Sequence, residues 1–148
     1  MIRLSFAALA ALVAMPNVAW AAPSIVGNHY EDNNSISCAN SSVCRLTFDA
    51  TPAGKVLIIE RVNCHTAYPQ PILQSVALGI STTPTDSMKR FRWLPVTALT
   101  TGSVTDYVAD LETKQLVGPV RHPNIVIRSS TAYYPYLTCS IAGTLINQ

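Results

Sequence analysis

The sequence predicts an antiparallel β-sandwich, jelly-roll-like, with an immunoglobulin-like sandwich as the alternative, and three observations carry that expectation. Apolar residues alternate with polar ones along several short runs, most clearly Cys44, Leu46 and Phe48 against Arg45, Thr47 and Asp49, which is the period of a half-buried strand. Ten prolines and regular turn signals punctuate the chain, and past residue 21 no stretch repeats with the spacing of an amphipathic helix. Four cysteines supply two candidate disulfides. Roughly seven to nine short strands at this spacing fit a two-sheet fold. The immunoglobulin alternative lacks a tryptophan in its usual context between paired strand cysteines.

The ends of the chain set its destination. Arg3, the apolar run 4–15 and Ala19-Trp20-Ala21 have the order of a secretory signal with an A-x-A cleavage site. The mature chain is therefore expected to start at Ala22 and to form one domain, 22–148. The apolar run is shorter than the roughly 20 residues of a spanning helix, so no transmembrane anchor is expected. The first cysteine, Cys38, lies too far along for a lipid anchor at the cleavage site. The alanine-rich leader points to a bacterial protein, periplasmic or extracellular. Two sequons, Asn33-Asn34-Ser35 and Asn40-Ser41-Ser42, matter only in a eukaryotic pathway.

Charge narrows the partners. The formal net charge is +2 and falls closer to zero once Arg3 is removed. Only 12% of residues are charged, against about 25% in ordinary globular proteins. A nucleic acid held by phosphate neutralisation is not an expected partner.

In an exported chain four cysteines allow three pairings. Cys38–Cys44 would close a short Asn/Ser-rich loop. Cys64–Cys139 would tie the most hydrophobic strand to the last one. The spacing contains no C-x-x-C pair and no neighbouring H-x-x-x-H, so no metal site or cofactor is expected.

Taken in order, residues 24–28 read as a short strand and 31–37 as a polar loop. The strand 44–49 leads to a turn at 50–54, where Pro52 fixes φ and Gly54 accepts a positive φ. The next strand changes phase: Leu57 and Ile59 share one parity, Val62 and Cys64 the other. One extra residue near Glu60-Arg61 would reconcile them as a β-bulge; the competing account buries both faces of 56–59 in a central strand. Residues 65–71 read as a loop, 72–80 as a strand with Gln74 out of phase, and 82–87 as a turn-rich loop. In 89–93, Phe91 and Trp93 are expected inward, Arg90 and Arg92 outward, with Pro95 marking an edge. Strands at 96–101 and 103–111 flank Gly102, and 112–115 reads as a polar connection. Residues 118–124 read as loop, 125–128 as strand and 129–131 as a turn. In the final strand Leu137, Cys139, Ile141, Gly143 and Leu145 share a face, so Cys139 lies in the same core layer as Cys64.

The run Pro52-Ala53-Gly54-Lys55 with Leu57, Ile59-Glu60 and Val62, and the closing Cys139-Ser140-Ile141-Ala142-Gly143-Thr144-Leu145, resemble small exported bacterial β-sandwich proteins. The likeness covers most of the mature chain in order. It implies fold and export, and brings no catalytic residue with it. Gly54-Lys55 is not a phosphate loop, because the G-x-x-x-x-G-K-[ST] spacing is absent.

Candidate chemistry is sparse. His29, His65 and His122 stand in no metal or protease spacing; His65 is expected on the surface, and His29 with Glu31 and Asp32 would form a cation or acid/base site only if loops converged. No G-x-S-x-G elbow or S-x-x-K is present, and the scattered acids do not mark a glycosidase pair. Two features suit binding. Tyr133-Tyr134-Pro135-Tyr136 concentrates rings that can stack on a sugar or a protein, with Tyr134 and Tyr136 outward, and Arg90 and Arg92, with Lys89, would meet an acidic polymer. The expected function is thus a non-enzymatic exported protein binding a surface, envelope component or partner. A carbohydrate-binding module using the tyrosines is the alternative, and a small hydrolase with a loop-built site comes third.

Overall fold

The strands alternate between two antiparallel sheets in the order of a jelly roll. The computed structural model describes residues 22–68, 73–133 and 135–148, so residues 1–21, where a secretory signal is expected, and Tyr134 lie outside the described residues. The strands are β1 (Ser24–Val26), β2 (His29–Ser37), β3 (Ser41–Thr47), β4 (Lys55–Tyr68), β5 (Leu73–Ser81), β6 (Lys89–Leu94), β7 (Thr97–Thr101), β8 (Val104–Val117), β9 (His122–Tyr133) and β10 (Tyr136–Asn147). One sheet runs β1-β2-β10-β4-β8-β7, the other β3-β9-β5-β6. The pairs β2·β10, β3·β9, β4·β8 and β5·β6 are those of one long hairpin. Wrapping that hairpin places successive pairs in alternate sheets, and the β10·β4 and β9·β5 contacts close it, which is the jelly-roll topology. β1 and β7 extend the six-stranded sheet at its two edges through tight turns at Gly27 and Gly102, both at positive φ. Among the described residues no helix is long and apolar enough to cross a membrane.

The core is built from inward parities. Leu57, Ile59, Val62, Leu78, Ile125, Ile127, Leu137 and Ile141 are all buried. Tyr68 and Tyr107 meet edge to face at 5.8 Å, a favoured ring geometry.

The phase change in β4 is a bulge. Ile59 pairs with Gly143 and Arg61 with Ala142, so Glu60 is the extra residue against β10. It points to solvent, where its carboxylate accepts from the Thr144 hydroxyl at 3.2 Å. The irregularity widens across the sheet: Ile59 faces Gln115 and Arg61 faces Glu112, leaving Thr113 and Lys114 opposite Glu60. Gln74 is likewise an extra residue, since Leu73 pairs with Ser129 and Ser75 with Arg128. Both predicted disulfides are formed. Cys64 and Cys139 are direct cross-strand partners with Cα atoms 4.1 Å apart, and Cys38–Cys44 closes its short loop.

Five segments expected as loop, connection or turn are wholly or partly strand instead. Residues 31–37 belong to β2, paired with β10 from His29 to Ser37. The alternation was hidden because the inward positions of β2 are Tyr30, Asp32, Asn34 and Ile36, two of them polar. Each polar group has a reason to face in. Asp32 accepts from the Tyr30 hydroxyl at 3.2 Å and from the Asp49 backbone N–H at 3.1 Å, and Asn34 donates to the Thr47 carbonyl. Residues 65–68 continue β4, with 69–72 outside the described residues. Residues 112–115 continue β8 through the bulge, and 122–124 and 129–131 belong to β9. At 129–131 the register breaks, Val43 pairing with Arg128 but Ser41 with Tyr133, so the turn chemistry bends a strand without ending it. Pro123 is tolerated one residue into β9; its carbonyl accepts from the Phe48 N–H at 3.0 Å.

Burial raises the Asp32 carboxyl above the usual carboxylate range, with the nearby Asp49 charge adding to the rise and hydrogen bonds opposing it. The Tyr30 hydroxyl is pushed up by burial and then by Asp32. A raised folded-state value favours the protonated form. Asp32 therefore contributes stability below its unfolded pKa, and that contribution is lost as pH rises through the folded value. Asp32→Asn keeps an acceptor oxygen but cannot ionise. In urea titrations its stability relative to wild type should increase from about pH 3 to pH 7; parallel curves would refute the assignment.

Candidate ligand-binding face

β6 decides which side of the four-stranded sheet is equipped to bind. The rings of Phe91 and Trp93 do not face the core as expected; they are 55% and 57% exposed. The alternation was right and its phase was inverted, because the core residue of this edge strand is Leu94, paired with Val76. Arg92 shares the parity of Leu94 and reaches β8 of the facing sheet, where it donates to the Thr113 hydroxyl at 2.6 Å. A long aliphatic stem with a charged tip suits an open sandwich edge.

A bulge also separates the two arginines. Leu78 pairs with Arg92 and Ile80 with Lys89, so Arg90 and Phe91 both lie opposite Gly79, and Arg90 takes φ 51°. Arg90 joins Lys89 and Arg121 in a shallow cleft beside Ser81 and Thr82. Arg92 lies in another, with Glu60, Arg61, Glu112 and Lys114.

Strand register assembles the outer face of this sheet from four distant segments. Arg45 pairs with Val126, Val126 with Ala77, and Ala77 with Trp93, which forms one row across all four strands. At about 4.8 Å per strand spacing that row spans roughly 14 Å. Flanking rows hold Val43 with Arg128 on one side, and Thr47, Asn124 and Gly79 on the other. Small residues sit in the middle and large ones at the edges, so the face is a trough. Ala77 and Val126 are buried although they point away from the core. Gly79 leaves the β5 backbone bare, and Met88 packs on it so closely that an added Cβ would lie 2.8 Å from the Met88 sulfur. Phe91 and Trp93 stand as an edge-to-face pair, 5.4 Å between centroids. The resulting groove encloses about 260 Å³.

Its charged equipment is cationic, with Ser87 as a neutral hydroxyl beside it. Arg45 donates to the backbone carbonyl of Asp86, which fixes its head at the rim. Arg128 lines the groove, is exposed, and among the described residues has no hydrogen-bonding or ion-pair partner. No carboxylate is among the described residues that line the groove. The Asp86 carboxylate is turned back to the Thr83 N–H.

The remaining sequence candidates lie elsewhere. Tyr136 is 58% exposed on β10 of the other sheet. It is seven residues along β10 from Gly143, the level of the Glu60 bulge, or roughly 23 Å at strand rise. It is therefore not brought together with Arg92. His65 gains a carboxylate that sequence reasoning did not supply, Asp106 on β8, at 3.2 Å across an exposed sheet face. His122 is structural: its Nδ1 donates to the Phe48 carbonyl at 3.0 Å. His29 and Glu31 point outward while Asp32 points in, so the three do not converge. Among the described residues no group of three His, Cys, Asp or Glu side chains is placed to hold a metal ion.

No protein-family model matches the chain, and neither a curated protein nor a solved structure matches it.

Proposed function

We propose that this chain is an exported, non-enzymatic jelly-roll protein that binds a surface or envelope component through the outer face of its four-stranded sheet. The observation that carries the reading is the exposed Phe91–Trp93 pair beside a buried floor of Ala77 and Val126. Large rings left in water next to an apolar trough gain free energy when a ligand covers them. Two disulfides support an oxidising, exported location, as does the leader-like segment 1–21. The resemblance to small exported bacterial β-sandwich proteins points the same way.

The test is co-sedimentation of the purified protein with isolated cell-envelope fractions. Trp93→Ala should weaken retention at least about tenfold, as removal of a central aromatic anchor does in interfaces. Tyr136→Ala, on the other sheet, should leave retention unchanged. The reverse pattern would move the binding face to the six-stranded sheet and favour the alternative reading through the tyrosines.

A further inference from the structure

Resting on that reading, the geometry points to a chemical class of ligand: a polysaccharide built from acidic, carboxylate-bearing sugar rings, one ring seated in the groove between Trp93 and Arg128. Three features of the groove converge on that class. Its volume of about 260 Å³ lies just below the roughly 300–1,000 Å³ of sites that enclose drug-sized ligands. It therefore has room for a single sugar ring.

The floor and wall match a sugar ring. Ala77 and Val126, themselves almost wholly covered, close the floor of the groove, and Trp93 offers a half-exposed indole at the end of the same transverse row. The C–H face of a pyranose packs on such surfaces, while an extended acidic peptide presents no comparable face to the indole.

Charge then selects the acidic sugar. A neutral glycan is held by side chains that both donate and accept, and serine and amide groups serve that purpose. This groove has a single such group, the Ser87 hydroxyl, beside two guanidiniums: Arg128, without a partner among the described residues, and Arg45, held at the rim by the Asp86 carbonyl. No carboxylate among the described lining residues offsets them. A guanidinium with unused donors matches a carboxylate in a bidentate fashion. The cleft of Lys89, Arg90 and Arg121 has more cations but no ring. The cleft around Arg61 and Arg92 mixes in Glu60 and Glu112. Only the groove combines an aromatic wall with uncompensated positive charge among these surfaces.

The experiment measures binding of the purified protein to polygalacturonate, alginate and hyaluronate, to the carboxyl-reduced form of each, and to poly-glutamate. The expected result is retention on at least one of the acidic polymers, at least tenfold weaker on its carboxyl-reduced form and on poly-glutamate. Arg128→Gln should reduce the acidic binding at least tenfold while leaving any residual binding to the reduced polymer unchanged, and Trp93→Ala should remove both. These exposed positions allow each variant to fold, which its thermal unfolding curve checks.

Equal binding to acidic and reduced forms, or an unaffected Arg128→Gln, overturns the acidic-sugar inference and leaves the binding face in place. Equal binding to poly-glutamate overturns the sugar and indicates an acidic protein partner. No binding to any of the three polymers also overturns the inference, and the envelope sedimentation then decides the wider reading separately. Binding that survives Trp93→Ala overturns both.

Discussion

Gly143→Ala should be the most damaging single-methyl change in the domain, costing at least about 3 kcal/mol and lowering the yield of folded protein. Gly143 lies between Ile59 of β4 and Tyr30 of β2, at the level where Glu60 is squeezed out of the ladder. The bulge brings the β4 backbone against Gly143: a Cβ there would lie 2.0 Å from the Ile58 carbonyl oxygen and 3.0 Å from the Ile59 Cα. A flexible side chain can swing away from such an approach, but a paired backbone in a central strand cannot. Relief requires either undoing the bulge, which would turn Val62 and Cys64 away from the core, or separating β4 from β10. Gly54→Ala supplies the comparison. Gly54 has φ 71° and open space around it, so its cost is conformational only, about 1–2 kcal/mol. Urea unfolding of the two variants checks the order, and a Gly143→Ala loss no larger than that of Gly54→Ala would show that the strands do not approach as described.

Parts of this fold are legible in the sequence for a definite reason: parity is local. The switch from Leu57 and Ile59 to Val62 and Cys64 can be counted without knowing any partner strand, and the bulge and the Cys64–Cys139 pairing follow from it. β2 was not legible because its inward positions include Asp32 and Asn34, whose partners Asp49 and Thr47 belong to the β3–β4 region. A local pattern cannot reveal that a polar side chain will be satisfied from elsewhere. β6 fails differently. Its rings and its arginines alternate in the sequence, but a bulge at Arg90 and Phe91 interrupts that alternation and the phase of the rest is set by Leu94 at the strand's last position, and on an edge strand one anchored residue outweighs two rings.

The groove is the least legible feature, since its central row joins residues 45, 126, 77 and 93 through three separate registers. One signal was available. The outward parity of β5 carries Ala77 and Gly79 in place of the polar residues a solvated face would show, and small apolar residues on an outer face indicate that something lies over them.

Removing the long-range disulfide should cost about twice as much as removing the short one. The Cys64→Ala/Cys139→Ala double variant opens a loop with sequence separation 75, whereas Cys38→Ala/Cys44→Ala opens one of 6. Loop-closure entropy in the unfolded chain assigns them roughly 4 and 2 kcal/mol respectively. Against a total of about 5–15 kcal/mol for a domain, the first loss consumes much of the margin and the second does not. Packing acts in the same direction. Cys64 and Cys139 lie in the core beside Ala109, their cross-strand neighbour on β8, and near Val62 and Ile141, so truncating both also removes buried sulfur contacts. Cys38 is only half-buried. The two strands joined by the long bridge also carry the Gly143–Glu60 irregularity three to four residues away. The bridge and the bulge therefore fix one register between them: a one-residue slip of β10 on β4 would separate the sulfurs and turn Ile141 and Leu145 outward. Equilibrium unfolding of both double variants, and of wild type under reducing conditions, measures the ratio. Equal losses, or a larger loss from the short loop, would show that the cross-strand bridge merely decorates a register already secured by the core.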